Sequence, residues 1–102
     1  MSNLLSPKYS GEKIVVTMEF GQSLTTGETL TGSPEVEVET NSGVDESPQA
    51  ILNGDPLIVG TQIRIPVQGG IAANSYLIKA TCNTSNPQKV LQMAAILPIY
   101  AI

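Results

Sequence analysis

The feature that most constrains this chain is a period-two alternation of apolar and polar residues, repeated along it and broken by glycine and proline. Gln62–Gln68 shows it well. Ile63, Ile65 and Val67 share one parity; Gln62, Arg64 and Gln68 share the other. Side chains on a strand alternate between faces, so this pattern specifies a β-strand with one face buried. The same reading applies to Lys13–Phe20, where Ile14, Val16, Met18 and Phe20 fall on one side and Val15 is the exception on the other. It applies to Glu35–Thr40, where Val36 and Val38 oppose Glu35, Glu37 and Glu39. Ser75–Asn83 repeats it with Tyr76, Ile78, Ala80 and Cys82 on the inward side.

The intervening residues are turn formers. Gly21, Asn53-Gly54 followed by Asp55-Pro56, and Gly69-Gly70 close successive strands, since glycine and asparagine tolerate positive φ. There is room for a short strand near Thr29–Thr31, Ala50–Leu52 could form another, and Leu57–Val59 is a short apolar run closed by Gly60. Pro66 has no N–H to give a ladder, which places its strand at a sheet edge or a bulge. Turn signals every eight to twelve residues or so are the spacing of a sandwich. Residues 1–12 read as an extended N-terminal arm, and residues 13–102 as a single β-sandwich domain.

The last segment is open on the residues alone. Asn86-Pro87 suits the start of a helix, and Val90, Leu91, Ala94 and Leu97 fit a helical face. Leu91, Met93, Ala95 and Leu97 equally share a strand parity. Beyond Pro98 the chain is apolar: Ile99, Tyr100 and Ile102 either close the core as a final strand or form a contact with a partner. Leu4 and Leu5 are the adjacent apolar pair of the arm. Leu4, Leu5, Ile99, Tyr100 and Ile102 are therefore the candidate assembly contacts.

Composition removes whole classes of function. The 102 residues contain no histidine and one cysteine. The commonest general base and metal ligand is missing, no Cys-His or Ser-His-Asp arrangement can be built, and no internal disulfide or cysteine-rich zinc site can form. Neither G-x-x-x-x-G-K nor G-x-G-x-x-G occurs. The expectation is a protein without enzymatic activity and without a cofactor. Net charge is −4, and the five basic residues Lys8, Lys13, Arg64, Lys79 and Lys89 are scattered. Nucleic-acid binding needs clustered cations, so it is not expected. No apolar run approaches a membrane span of about 20 residues, and no basic region followed by an apolar stretch marks a signal peptide.

Weaker features have plain readings. Glu35, Glu37 and Glu39 are expected to form a solvated strand face that discourages edge-to-edge pairing. Asp45, Glu46 and Asp55 could offer oxygens to calcium, but loop acids are ordinarily just solvated. Cys82 alternates with apolar residues and reads as a small buried hydrophobe.

Two stretches resemble a family of small tailed-bacteriophage structural proteins, described as head-fibre or head-tail-region proteins. The first is Val15–Thr31, VVTMEFGQSLTTGETLT: a strand, a small loop, then a Gly-Glu-Thr-Leu-Thr turn into the next strand. The second is Thr61–Ser85, TQIRIPVQGGIAANSYLIKATCNTS: an alternating strand, a Gly-Gly corner, a small-residue turn with Tyr, and a strand ending in Thr-Ser. The family's Asp-Trp is here Glu19-Phe20, and its Gly-Arg after Thr-Ser is replaced by Asn86-Pro87-Gln88-Lys89. The resemblance implies an all-β, immunoglobulin-like antiparallel β-sandwich of about seven short strands, and it makes the last segment a strand. It also implies a phage virion protein, made in the bacterial host cytoplasm and repeated in the particle, most simply a capsid-attached decoration or head fibre. The partners would be other virion proteins, major capsid protein or portal and neck proteins, together with further copies of itself. A neck or tail component of the same virion is the alternative. A stand-alone carbohydrate-binding or adhesin module is the alternative of another class, though three tyrosines offer few stacking surfaces.

Overall fold

The structure, a computed structural model, describes residues 2–102, with side chains from residue 4 onward. Met1, the first residue of the expected arm, lies outside the described residues. The strands are β1 (Ser2–Leu4), β2 (Lys8–Tyr9), β3 (Ile14–Glu19), β4 (Leu30–Ser42), β5 (Leu57–Val59), β6 (Gln62–Val67), β7 (Ser75–Thr84) and β8 (Val90–Tyr100). Among the described residues there is no α-helix, only two 3-10 turns at Gly21–Ser23 and Pro48–Ile51.

The strands form two sheets. One has the order β1-β8-β7-β4, with β2 also paired to β8; the other is three-stranded, β3-β6-β5. Both sheets turn their apolar parity inward onto one core. Val16 and Met18 of β3, Ile63, Ile65 and Val67 of β6, Tyr76, Ile78 and Cys82 of β7, and Ala95, Leu97 and Ile99 of β8 are all buried there. Burying each large aliphatic side chain stabilises by about 1.5–3 kcal/mol. The alternation read from the sequence is thus the alternation of the core.

The segment expected to form an extended arm runs parallel to β8, with Ser2 opposite Ala94 and Lys8 opposite Ile99. Parallel pairing between the two ends of the chain is non-local, and no local pattern announces it. The segment 87–98, which fitted either a helix or a strand, falls mostly in the long strand β8 (Val90–Tyr100), antiparallel to β7 from Val90 opposite Asn83 to Pro98 opposite Ser75. Ile99 N donates to Asn74 O at 2.9 Å. Donors two residues apart point the same way along a strand, so position 98 faces the arm, where Pro98 has no N–H to offer. The arm parts from β8 around that point, between β1 and β2.

Two local expectations need correcting. Ala50–Leu52 is not a strand. Pro48 opens a 3-10 turn with Ala50 N donating to Ser47 O, and Ile51 is its buried anchor. The strand carrying Pro66 is not at an edge, for β6 is the middle strand of its sheet. Phe20 N donates to Thr61 O, which sets Ile63, Ile65 and Val67 to bond β3 and leaves position 66 facing β5. β5 reaches only Arg64, so the missing N–H of Pro66 falls where no strand needs it.

β4 is longer than the expected strand because Thr29–Thr31 and Glu35–Thr40 are one element joined across a bulge. The register shifts between Thr31 and Glu35, and Gly32 takes φ +73° there. At the corner between β6 and β7, Gly70 has φ +94°, and a Cβ on it would lie 2.9 Å from Ile99 Cγ1. Glycine is required by both the backbone and the core.

Candidate interaction surface

Residues opposite one another in neighbouring strands share a face, so the register defines the outward face of the larger sheet. Glu39, Leu77, Ile96 and Leu4 form one row across it. Glu37, Lys79 and Ala94 form the next, and Glu35, Thr81 and Gln92 the third. Beyond the first row, Pro98 lies opposite Ser75 and Tyr100 opposite Tyr9. The face is divided. Its β4 side is an acidic ladder; its β8 and arm side is apolar.

The apolar side is exposed at its margin, while Leu77, Ile96 and Pro98 are half-buried. Leu4 is 76% exposed, Tyr100 53% and Tyr9 47%. On the acidic side, Lys79 Nζ bonds Glu39 Oε1 at 2.6 Å and lies 3.8 Å from Glu37 Oε2. The Glu39 carboxylate, aided by the charge of Glu37, raises the Lys79 pKa above its ordinary value. Glu35 has no ion pair among the described residues.

The five candidate contacts are not brought together as one set. Leu4 and Tyr100 lie on the outward face. Leu5 is half-buried against the core, and Ile99 is buried within it at 1% exposure. Ile102 is fully exposed past the end of β8. Tyr9, Ile96, Pro98 and Leu77 join Leu4 and Tyr100 through the register. That membership depends on which strand is whose neighbour, so alternation within a single strand could not reveal it.

Beneath this face, the end of the core near the Gly69-Gly70 corner holds two polar networks. Lys8 points inward, and its Nζ donates to Tyr9 O at 2.7 Å, Ser10 O at 3.3 Å and Gly69 O at 2.7 Å. Burial pushes its pKa below the ordinary lysine value, with the Glu12 charge opposing. The ammonium uses its three donors on backbone carbonyls and fastens the arm to the corner. Nothing in the sequence marks it, because lysine is almost never buried. In the second network, Tyr76 Oη accepts from Ile71 N at 3.0 Å and donates to Asp45 Oδ2 at 2.6 Å. Asp45 Oδ1 accepts from Ser47 N. The Asp45 oxygens are thus used within the chain, while Glu46 and Asp55 are exposed. Among the described residues no group of three or more His, Cys, Asp or Glu could hold a metal ion.

A groove of about 530 Å³ runs beside the β4 bulge and β5, with Asp55 its sole ionisable lining group. Cys82, which burial pushes above the ordinary thiol pKa, lies in the core with its Sγ near Thr31 O and Asn83 O. No helix among the described residues is long and apolar enough to cross a membrane. No protein family, curated protein or solved structure matches the chain.

Proposed function

We propose that this chain is a non-catalytic, immunoglobulin-type β-sandwich that serves as a structural subunit of a phage particle, bound to neighbouring virion proteins at the capsid surface. The single observation that carries the binding role is the divided outward face, with Leu4, Ile96, Pro98, Tyr9 and Tyr100 beside the acidic ladder. Exposed aromatic residues such as Tyr9 and Tyr100 are common anchors of protein contacts.

The strand order supports the sandwich type. β3-β6-β5 lies in one sheet and β4-β7-β8 in the other, with the arm parallel to the last strand. The groups β3-β6-β5 and β4-β7-β8 correspond to the B-E-D and C-F-G strands of an immunoglobulin domain, with the arm joined to the second group instead of the first. Tyr76, near the start of β7, bonds back to Ile71 N, as the tyrosine corner of such domains does. The antibody Cys…Trp…Cys core is replaced by a lone Cys82 and aliphatic packing. The virion assignment itself rests on the likeness of Val15–Thr31 and Thr61–Ser85 to the phage family.

Quantitative protein staining of purified particles of the encoding phage tests this. A capsid subunit is expected on the order of hundreds of copies, where many modest contacts add up. About a dozen copies would move the protein to the neck. Its absence from the particle would defeat the virion reading.

A further inference from the structure

We propose that β3 is a pairing edge through which two copies of this chain join antiparallel, fusing their three-stranded sheets into one continuous sheet about a two-fold axis. β3 pairs with β6 on one side only, and no strand lies on its other side among the described residues. Because Phe20 N donates to Thr61 O, alternate residues set Ile14, Val16 and Met18 to bond β6. The N–H and C=O groups of Val15, Thr17 and Glu19 therefore point away from the sheet.

The other edges are blunted in ways that oppose strand addition. β4 carries Pro34, two register shifts and the Glu35, Glu37, Glu39 ladder. β5 has three residues between Pro56 and Gly60. The arm edge is interrupted at Pro7. β3 has six residues with no proline, no glycine and no bulge, and Val15 on its outward face is 58% exposed.

The occupant is a second copy because β3 is complementary to itself. Antiparallel pairing centred on Thr17 sets Thr17 opposite the partner's Thr17, and Val15 opposite the partner's Glu19. The outward backbone groups then exchange roughly six hydrogen bonds. Val16 falls beside the partner's Met18, so the two buried apolar rows run on across the axis. Lys13, which has no ion pair among the described residues, sits diagonal to the partner's Glu19, and no like charges are opposed. Threonine pairs and opposite charges are the favoured cross-strand neighbours. The contact is isologous and closes at two copies. It follows from the edge alone, and it stands or falls separately from the virion reading.

Sedimentation equilibrium of the full chain from about 1 μM to about 1 mM is expected to show a monomer passing to a dimer. Thr17→Lys opposes two ammonium groups across the axis and should raise the dissociation constant at least about tenfold, with the circular dichroism of the fold unchanged. Thr17→Cys should oxidise to a covalent dimer, whereas Thr81→Cys on β7 should not; the native Cys82 is buried and does not compete. A wild-type chain that stays monomeric throughout, or a dimer indifferent to Thr17→Lys, overturns the proposal. So does equal cross-linking at positions 17 and 81. If Thr17→Lys unfolds the chain, the cysteine pair decides alone.

Discussion

The hydroxyl of Tyr76 donates to Asp45 Oδ2 at 2.6 Å while accepting the Ile71 N–H. One side chain of β7 thereby ties the loop after β4 to the corner before its own strand. Tyr76 is fully buried, so this tie has no water to replace it. Tyr76→Phe should lower the unfolding free energy by about 1.5–3 kcal/mol, the range for a hydrogen bond to a charged group. Urea denaturation measures it. A loss under about 0.5 kcal/mol, the scale of an ordinary surface change, would mean the tie is not structural.

The same tie makes stability depend on acid. The Tyr76 hydroxyl, then the Ser47 amide, hold the Asp45 carboxyl below its ordinary range. Thr61 and the Gly21 amide do the same for Glu19, and Lys89 and the Thr25 amide for Glu28. A carboxyl depressed in the folded state releases its proton more readily there than in the unfolded chain. Its stabilisation is complete above the ordinary carboxylate range, near pH 4, and is lost as pH falls through the folded value. The melting temperature should therefore fall on acidification below about pH 4. In Tyr76→Phe that acid slope should be shallower, because the largest cause of the Asp45 depression is gone. An unchanged slope would remove Asp45 from the account.

At the alkaline end Tyr76 acts with the opposite sign. Burial, then the Asp45 bond, raises its pKa. Its contribution is whole below the ordinary tyrosine value of about 10 and is lost as pH rises through the folded value. Ultraviolet titration should show a phenol ionising above the ordinary tyrosine value of about 10 in the wild type and lost in Tyr76→Phe. A titration curve that Tyr76→Phe leaves unchanged above that value would contradict the burial of the phenol.

Lys8→Met keeps an apolar stem of similar length and removes the donors to Tyr9, Ser10 and Gly69 carbonyls. Losing hydrogen bonds from a charged donor should cost about 1.5–3 kcal/mol. Amide exchange should quicken at Ser10, whose N–H bonds Tyr100 O. Unchanged exchange there would show that the arm does not depend on the ammonium.

The apolar end of the chain divides by parity. Ile99→Ala empties a core position and should cost about 2–5 kcal/mol. Ile102→Ser touches an exposed residue and should stay within about 0.5 kcal/mol. Thermal melts of the two variants check this. Equal effects would show that the end of β8 is not part of the core.

Which side of each strand faces the core is written in the order of its residues. Ile63, Ile65 and Val67, or Tyr76, Ile78, Ala80 and Cys82, could not be exposed without placing a row of apolar groups in water. That order also marked the corners at Asn53-Gly54 and Gly69-Gly70, since those turns are built from local φ preferences. Helix and strand stayed open for residues 87–98, where both periods fit. Pairing with β7 along the whole segment is what made it a strand. Which strand neighbours which emerged with the folded chain. Folding set the arm on β8, put β6 in the middle despite Pro66, and buried Lys8. It also sent Ile99 inward while leaving Tyr100 beside Tyr9 on the surface. Those outcomes are contacts between residues far apart in the chain, fixed by register and by the shared core. A period of two says which way a side chain points and nothing about what lies across the gap.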